Sequence, residues 1–124
     1  MGILGRLFGL QSVLPASITD ENFESEVLRS DLPVVVDIWS AGCAPCRQLE
    51  EVMMSLAHEF QGRVKVCEMN VSRAPRTAYQ LGIRSTPTVL YIHGGEVIET
   101  VVGYRSSVYH REAVAELFGI SAAA

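Results

Sequence analysis

The sequence predicts an α/β domain built on one sheet of five strands, with four helices between and after them. Runs rich in β-branched residues alternate along the chain with segments whose apolar residues recur at helical spacing. Residues 93–96 contain a Gly-Gly pair between the last two strand-like runs, which is typical of a hairpin. The predicted order is therefore β-α-β-α-β-α-β-β-α. Strands separated by helices are expected to be parallel, and the hairpin pair antiparallel.

Composition limits the class of protein. The chain has 124 residues, 48% hydrophobic and 19% charged, which suits one domain with a buried core and excludes a disordered chain. The formal net charge is −4 without a basic cluster, which argues against a nucleic-acid partner. Three cysteines are too few for a disulfide framework, and a C-x-x-C pair between strand and helix suits a reducing compartment. We therefore expect a cytoplasmic protein.

Local patterns set the bounds of each predicted element. Helices carry apolar stripes at helical spacing, and strands are β-branched runs bounded by turn residues. In order, the predicted elements are a strand at 16–18, a helix at 21–30, strand 34–39, helix 43–60, strand 64–71, helix 74–81, strands 88–92 and 97–102, and a last helix that begins at Ser106 or Ser107 and ends at Gly119.

The apolar stripes predict the buried face of each helix. The first helix is expected to have Thr19 or Asp20 as its N-cap and to bury Phe23, Val27 and Leu28. The residues expected to be buried on the two longer helices are Leu49, Val52, Met53, Leu56, Ala57 and Phe60 on the second, and Val114, Leu117 and Phe118 on the last.

Residues 1–14 are predicted to form an N-terminal extension, either a short helix or a flexible arm. Their apolar residues fall largely on one helical face. A signal peptide is disfavoured because glycines and Arg6 interrupt the apolar run. Surface attachment to a membrane is the alternative to packing on the domain. No apolar run of the sequence reaches the roughly 20 residues that a bilayer span requires.

The segment Cys43-Ala44-Pro45-Cys46 carries the candidate chemistry, because two thiols at this spacing can close into a disulfide and reopen. It lies where a strand-like run turns into a helical pattern. The partial positive charge at a helix N-terminus favours a thiolate, so we expect the pKa of Cys43 to lie below that of a free cysteine. Pro45 is tolerated in the first turn, where its missing N–H would lack an intrahelical partner. The pattern indicates a redox centre.

A zinc site is the alternative interpretation of the cysteine pair. A tetrahedral site needs two more Cys or His ligands, whereas Cys67 lies within a predicted strand and His58, His93 and His110 are dispersed. We therefore expect no metal. The three histidines are expected on the surface, and Cys67 is expected to be an inert buried residue rather than a regulatory thiol.

The motifs together resemble the thioredoxin family, over residues 17–118. The residues that carry the resemblance are Val36-Asp37-Ile38-Trp39, Cys43-Ala44-Pro45-Cys46-Arg47, Gly82-Ile83-Arg84-Ser85-Thr86-Pro87-Thr88, Gly94-Gly95-Glu96 and Val102-Gly103. The resemblance implies a thioredoxin fold, a three-layer α/β/α arrangement in which four helices flank a central mixed five-stranded sheet. The implied domain spans residues 15–120, with the N-terminal extension before it and a disordered tail at 121–124.

The resemblance also implies the roles of the site residues. Cys43 is similar to the attacking cysteine of the family, and Cys46 to the resolving cysteine that closes the Cys43–Cys46 disulfide. Asp37 is similar to the buried carboxylate that serves as general base for the resolving thiol, and burial alone is expected to raise its pKa. An Asp37 satisfied by backbone donors is the alternative. Trp39 is expected to pack beneath the site rather than to react.

Pro87 matches the cis-proline that lies beside the disulfide in this family. The backbone of Thr86 is then expected to pair with an extended substrate segment. The residues expected to form a flat substrate-binding surface are Gly42, Ala44, Pro45, Thr86, Pro87 and Gly103.

The resemblance implies a protein-disulfide reductase that works as a monomer without a bound cofactor. Its implied partners are protein substrates that contain disulfides and an upstream reductase such as a thioredoxin reductase. Two alternatives stay open, namely an oxidase or isomerase of higher potential and a binding module whose dithiol is incidental.

The chain departs from the family pattern at several positions. Gly42 replaces the tryptophan that usually precedes the first cysteine, and Ala44 replaces the usual glycine between the cysteines. Glu51 replaces the proline that often kinks the second helix, and Glu68 stands where a lysine usually accompanies the buried aspartate. If Glu68 and Asp37 face one pocket, their like charges are expected to raise the pKa of Asp37 further.

Overall fold

The computed structural model describes residues 14–121, so the predictions for residues 1–13 and 122–124 lie outside it. Within the described range the elements follow the predicted order. The strands are β1 (Ala16–Ile18), β2 (Val34–Trp39), β3 (Lys65–Asn70), β4 (Thr88–His93) and β5 (Glu96–Val102). The helices are α1 (Glu24–Leu28), α2 (Ala44–Glu59), α3 (Pro75–Gln80) and α4 (Ser107–Phe118). The domain boundaries proposed above stay a prediction, and none of the helices in the described range is long and apolar enough to cross a membrane.

The five strands form one mixed sheet in the order β1-β3-β2-β4-β5. β3 pairs in parallel with both β1 and β2, whereas β4 runs antiparallel to both β2 and β5. The central place of β2 follows from its composition, because an almost uniformly apolar strand needs cover on both faces. All of β2 except Trp39 is buried. The fold is the expected mixed five-stranded sheet flanked by four helices.

The predicted direction of β4 is wrong. This strand follows a helix and was therefore expected to be parallel to the strands before it, but it is antiparallel to β2. The intervening helix α3 has six residues and is about 9 Å long, too short to return the chain along a strand of about 20 Å. The chain therefore enters β4 at the edge of the sheet where β3 ends. Thr88 and Met69 accordingly flank the same residue of β2, Ile38.

Alternation of side chains along the strands divides the core into two layers. One layer lies between the sheet and helices α2 and α4, and it contains Val35, Val66, Tyr91 and the stripe of α2. The other lies between the sheet and helices α1 and α3, and it contains Val36, Cys67 and Met69 among others. Because Asp37 and Glu68 share the parity of Val35 and Val66, both belong to the layer under α2.

The buried face of α2 agrees with the sequence prediction, whereas that of α4 agrees only in part. The whole predicted stripe of α2 is buried. On α4 Val114 is buried, but Leu117 and Phe118 are only half-buried, although both pack against the core layer under α2 and α4. Cys43 is the N-cap of α2, and the backbone N–H of the C-cap Phe60 donates to Leu56 O. Ser106 caps α4 by accepting a hydrogen bond from the backbone N–H of Tyr109 at 3.2 Å. Gly119 ends that helix in the left-handed conformation, which costs glycine little.

Helix α1 is shorter than predicted. It is a five-residue π-helical turn, of which Val27 is buried while Phe23 and Leu28 are only half-buried. Asp20 is not its N-cap but instead accepts hydrogen bonds at the start of α3, from Thr77 N and Oγ1, both at 2.8 Å. Burial by itself would raise the pKa of Asp20. The hydrogen bonds from Thr77 and the neighbouring Arg76 outweigh burial, so the pKa of Asp20 is lowered overall. A cap across 57 residues of chain cannot be read from local spacing.

His110 is buried, which contradicts the prediction of three surface histidines, although His58 and His93 are exposed. It lies on α4 above the sheet, and its Nδ1 is hydrogen-bonded to the Tyr91 hydroxyl. Its Nε2 is buried without a hydrogen-bond partner in the described part of the chain. Burial lowers the pKa of His110 to about 4, and Arg105 adds to the effect. The side chain is therefore neutral in the folded protein above that pH.

We predict that His110 weakens the fold as the pH falls from about 6.5 to 4. In this range the unfolded chain protonates the imidazole and the native state does not, so protonation favours unfolding. The free energy of unfolding of the wild type is expected to fall relative to that of His110→Gln by more than about 1 kcal/mol. Urea titrations at several pH values measure this difference, with the exposed His58→Gln as control. Parallel pH curves for wild type and His110→Gln would contradict the prediction.

Candidate active site

The two cysteines of the C-x-x-C segment are placed by the turn between β2 and α2. The strand ends at Trp39, and Gly42 has a φ of 76°, a left-handed conformation that glycine adopts without steric penalty. The next residue, Cys43, returns to an extended conformation as the N-cap of α2. Pro45 occupies the first turn of the helix. The dithiol therefore begins the helix, as the sequence predicts.

Cys43 and Cys46 form a disulfide, with their Cα atoms 5.2 Å apart. The two sulfurs differ in exposure, because Cys43 is half-buried whereas Cys46 is only 3% exposed. The backbone N–H of Cys46 donates to Sγ of Cys43 at 3.2 Å. This donor would also stabilise a thiolate on Cys43 after reduction. Cys43 is thus the sulfur within reach of another molecule.

The loop before β4 forms the opposite side of the site. Sγ of Cys43 lies 3.7 Å from the carbonyl oxygen of Thr86, and the Thr86–Pro87 peptide bond is cis. The hydroxyls of Ser40 and Thr86 are hydrogen-bonded at 2.6 Å, which ties this loop to the end of β2. Gly103 N donates to Pro87 O at 2.8 Å and ties it to the end of β5. Ser40 was not among the predicted site residues, and its place directly after the strand is its only signal in the sequence.

The surface around the disulfide is formed mainly by small residues. Gly42, Ala44 and Pro45 are exposed, Thr86 and Gly103 are half-buried, and Pro87 is buried beneath them. Among the described residues of this surface, the neighbours of Cys43 are small and therefore leave its sulfur accessible.

Asp37 lies in the middle of β2, under α2, and is 2% exposed. It pairs in register with Glu68 on β3 and with Val89 on β4. Its Oδ1 atom has no hydrogen-bond partner within residues 14–121, so backbone donors do not satisfy this oxygen. Burial is the largest of three effects, followed by the negative charges of Glu68 and Glu50, that together raise the pKa of Asp37 to about 7.

Glu68 and Asp37 line the same cavity, so the condition under which their like charges raise the pKa of Asp37 is met. Oε1 of Glu68 accepts a hydrogen bond from Trp39 Nε1 at 2.6 Å, and its Oε2 accepts one from the Ser17 hydroxyl. Neither this role of Ser17 nor the place of Glu50 at the site was predicted from the sequence. Glu50 comes four residues after Cys46, one helical turn along α2, and that spacing was the available signal.

Two cavities with shared lining residues lie beside the dithiol and the buried carboxyl. One, of about 160 Å³, is lined by Gly42, Cys46, Trp39 and Glu50 among others. The second, of about 350 Å³, is lined by Asp37, Glu68 and Met53, and it shares Trp39 and Glu50 with the first. The inner cysteine and the aspartate thus lie on either side of a common wall.

Cys67 lies on the other face of the sheet, in the layer under α1 and α3. It is fully buried, and burial raises the pKa of its thiol to about 12. A thiol that stays protonated is a weak nucleophile. The described residues hold no cluster of three or more His, Cys, Asp or Glu side chains placed for a metal ion.

A dithiol that begins a helix, with one cysteine half-buried, the other buried and a buried carboxyl in the layer beneath that helix, defines a thiol–disulfide oxidoreductase. The family model of thioredoxin matches residues 15–115. The chain is 43% identical to Thioredoxin 1 of Nostoc sp., over 71% of this chain and 82% of that protein. It is 46% identical to Thioredoxin 2 of Chlorobaculum tepidum, over 68% and 78% of the two chains, and 45% identical to the thioredoxin of Haemophilus influenzae, over 69% and 80%. The chain belongs to the thioredoxin family.

We predict that Asp37→Asn stabilises the oxidised protein increasingly as the pH rises from 4 to above 7. The folded protein holds the Asp37 proton up to a pKa of about 7, whereas the unfolded chain releases it near 3.8, so ionisation favours unfolding. Asparagine does not ionise, so it removes this pH dependence. Above pH 7 the free energy of unfolding of Asp37→Asn is expected to exceed that of the wild type by roughly 3 kcal/mol.

Denaturant titrations of the oxidised protein at several pH values measure this gain. The exposed Asp31→Asn is the matched control and is expected to show no gain that grows with pH. A gain from Asp37→Asn that is the same at pH 4 and pH 8 would contradict the prediction.

Proposed function

We propose that this protein reduces the disulfides of protein substrates, with Cys43 as nucleophile, Cys46 as resolving thiol and Asp37 as general base. The Cys43 thiolate attacks one substrate sulfur, a mixed disulfide forms, and the other substrate sulfur leaves as a thiolate. Cys46 then transfers its proton to Asp37 and attacks Cys43 Sγ. The Cys43–Cys46 disulfide forms, the second substrate thiolate leaves, and the substrate has gained two electrons.

The unequal exposure of the two sulfurs carries the assignment of Cys43 and Cys46. A large substrate reaches Cys43, while Cys46 is only 3% exposed and meets only a sulfur already attached to Cys43. The N–H of Cys46 donates to Sγ of Cys43, which favours the thiolate on the outer sulfur. The outer sulfur therefore attacks and the inner one resolves.

Burial supports the role of Asp37 as base. A general base works best when its pKa lies near the working pH, and burial raises the pKa of Asp37 to about 7. No hydrogen bond within the described chain occupies its Oδ1. Cys46 and Asp37 line two cavities that share Trp39 and Glu50, which supports a proton transfer between these two groups, directly or through water.

The substrate segment is proposed to lie along the backbone of Thr86, next to the attacked sulfur. Thr86 O lies 3.7 Å from Sγ of Cys43, so a chain paired with this loop would bring its own disulfide to Cys43. The small neighbours Gly42 and Ala44 leave space for substrates of varied shape. Trp39 is proposed to support the site from below.

The protein is proposed to receive electrons from an upstream reductase such as a thioredoxin reductase, and to act as a monomer in a reducing, cytoplasmic compartment. The reaction needs no bound cofactor, because the two cysteines themselves carry the electrons. The residues that couple the dithiol to its substrates all lie within one chain.

We predict opposite behaviour of two cysteine variants in the reduction of insulin disulfides by dithiothreitol. Cys43→Ser is expected to abolish catalysis, because no exposed thiolate remains. Cys46→Ser is expected to accumulate a mixed disulfide between Cys43 and substrate, because the resolving thiol is absent. Turbidity measures the rate, and mass spectrometry detects the adduct. Equal residual activity in the two variants would contradict the assigned roles, and Cys67→Ser is the control, since Cys67 lies on the other face of the sheet.

The surroundings of the inner sulfur favour a reductase over an oxidase or isomerase. Glu50 and the Asp37–Glu68 pair add negative charge near Cys46. A thiolate on Cys46 in the reduced protein is therefore stabilised little by its surroundings. A strong oxidant needs the opposite, a stabilised reduced form.

We therefore predict a reduction potential of about −270 mV for the Cys43–Cys46 couple. Equilibration with a dithiothreitol series, read by thiol alkylation, measures the potential. A potential of about −180 mV or higher would instead support the oxidase or isomerase. The absence of a reversible couple would support a binding module.

A further inference from the structure

Glu68 is held as a carboxylate by two donors. The indole N–H of Trp39 can only donate, and it donates to Oε1 at 2.6 Å. The hydroxyl of Ser17, on the edge strand β1, donates to Oε2. Both oxygens of Glu68 thus act as acceptors, which is the arrangement of an ionised carboxyl group.

Asp37 lies beside Glu68 in a less favourable position for negative charge. The two residues are register partners on adjacent strands, and Asp37 is 2% exposed with Oδ1 unpartnered in the described chain. When two carboxyl groups share a site, the one with donors keeps the charge and the other keeps the proton.

The other elements around Asp37 bring no positive charge to it. β4 presents the apolar Val89, and α2 presents Glu50 and, across the shared wall, Cys46. The cavity at Asp37 is lined by Leu14, Pro15, Asp37, Trp39, Glu50, Met53, Met54 and Glu68, so among the described residues no lysine, arginine or histidine lines it. Glu68, the register partner of Asp37 on β3, therefore opposes its ionisation more strongly than Glu50 does.

We propose that Glu68 is a positioning residue, held by Trp39 and Ser17, that sets the pH at which Asp37 becomes able to accept the proton of Cys46. This inference rests on the proposed role of Asp37 as base. Since Trp39 lines both cavities, the bond that fixes Glu68 also fixes the wall between Asp37 and Cys46. The chain thus resolves its mixed disulfide fastest above the pH at which Asp37 loses its proton.

The test compares wild type with Glu68→Gln. Glutamine keeps an acceptor for Trp39 and places an amide donor toward Ser17, but it removes the charge. The expected result is a fall of about one pH unit in the titration midpoint of the Asp37 carboxyl, followed by carbon NMR. Glu51→Gln, an exposed neighbour on α2, is the matched control and is expected to cause no shift.

A kinetic measurement separates the two chemical steps. The reduced protein reacts with an aromatic disulfide whose thiol product is coloured. The first equivalent of colour reports attack by Cys43, and the second reports attack of Cys46 on the mixed disulfide. In Glu68→Gln the pH midpoint of the second phase is expected to fall by about one pH unit, like the NMR midpoint. The pH midpoint of the first phase is expected to be unchanged.

Two results would overturn the inference, and they are distinguishable from each other. An unchanged NMR midpoint in Glu68→Gln would show that Glu68 does not set the ionisation of Asp37, whatever Asp37 does in the reaction. A shifted NMR midpoint with an unchanged second phase would overturn the link to the reaction, and with it the proposed base role of Asp37. A purely structural Glu68 would change rates and stability but neither midpoint.

Discussion

The in-register pairing of β2 with β3 is the contact on which the site depends. It places Asp37 opposite Glu68 under α2, and it delivers the end of β2 to the turn where Cys43 begins the helix. A shift of one residue between these strands would place the Asp37 side chain on the opposite face of the sheet from Glu68 and so separate the carboxyl pair. The apolar residues of β2 prevent such a shift, because they need cover in both core layers.

Burial separates the groups that react into one outer sulfur and two inner groups. Cys43 is half-buried, whereas Cys46 and Asp37 are only 3% and 2% exposed. Around the inner groups water is largely removed, so charge becomes less favourable and proton transfer replaces hydration as the means of stabilising a thiolate. A large substrate therefore meets only the outer sulfur.

Burial acts in opposite directions on His110 and Asp37, two of the titratable groups in the layer under α2 and α4. It lowers the pKa of His110 to about 4 and raises that of Asp37 to about 7, because both side chains become neutral when water is removed. His110 finds a partner in the Tyr91 hydroxyl, whereas Asp37 Oδ1 lacks one in the described chain. A buried carboxyl without a partner lowers stability, and its proposed catalytic use accounts for its presence.

The sequence by itself determined the features that depend on local spacing. The bounds of β2, the buried stripe of α2 and the dithiol at its first turn follow from periodicity and from the position of two cysteines. The tertiary structure alone decided the features that join distant parts of the chain. These are the antiparallel β4, the cap that Asp20 provides for α3, the burial of His110, and the bonds of Glu68 with Trp39 and Ser17. Each depends on which strand lies beside which, and local periodicity carries no information about that choice.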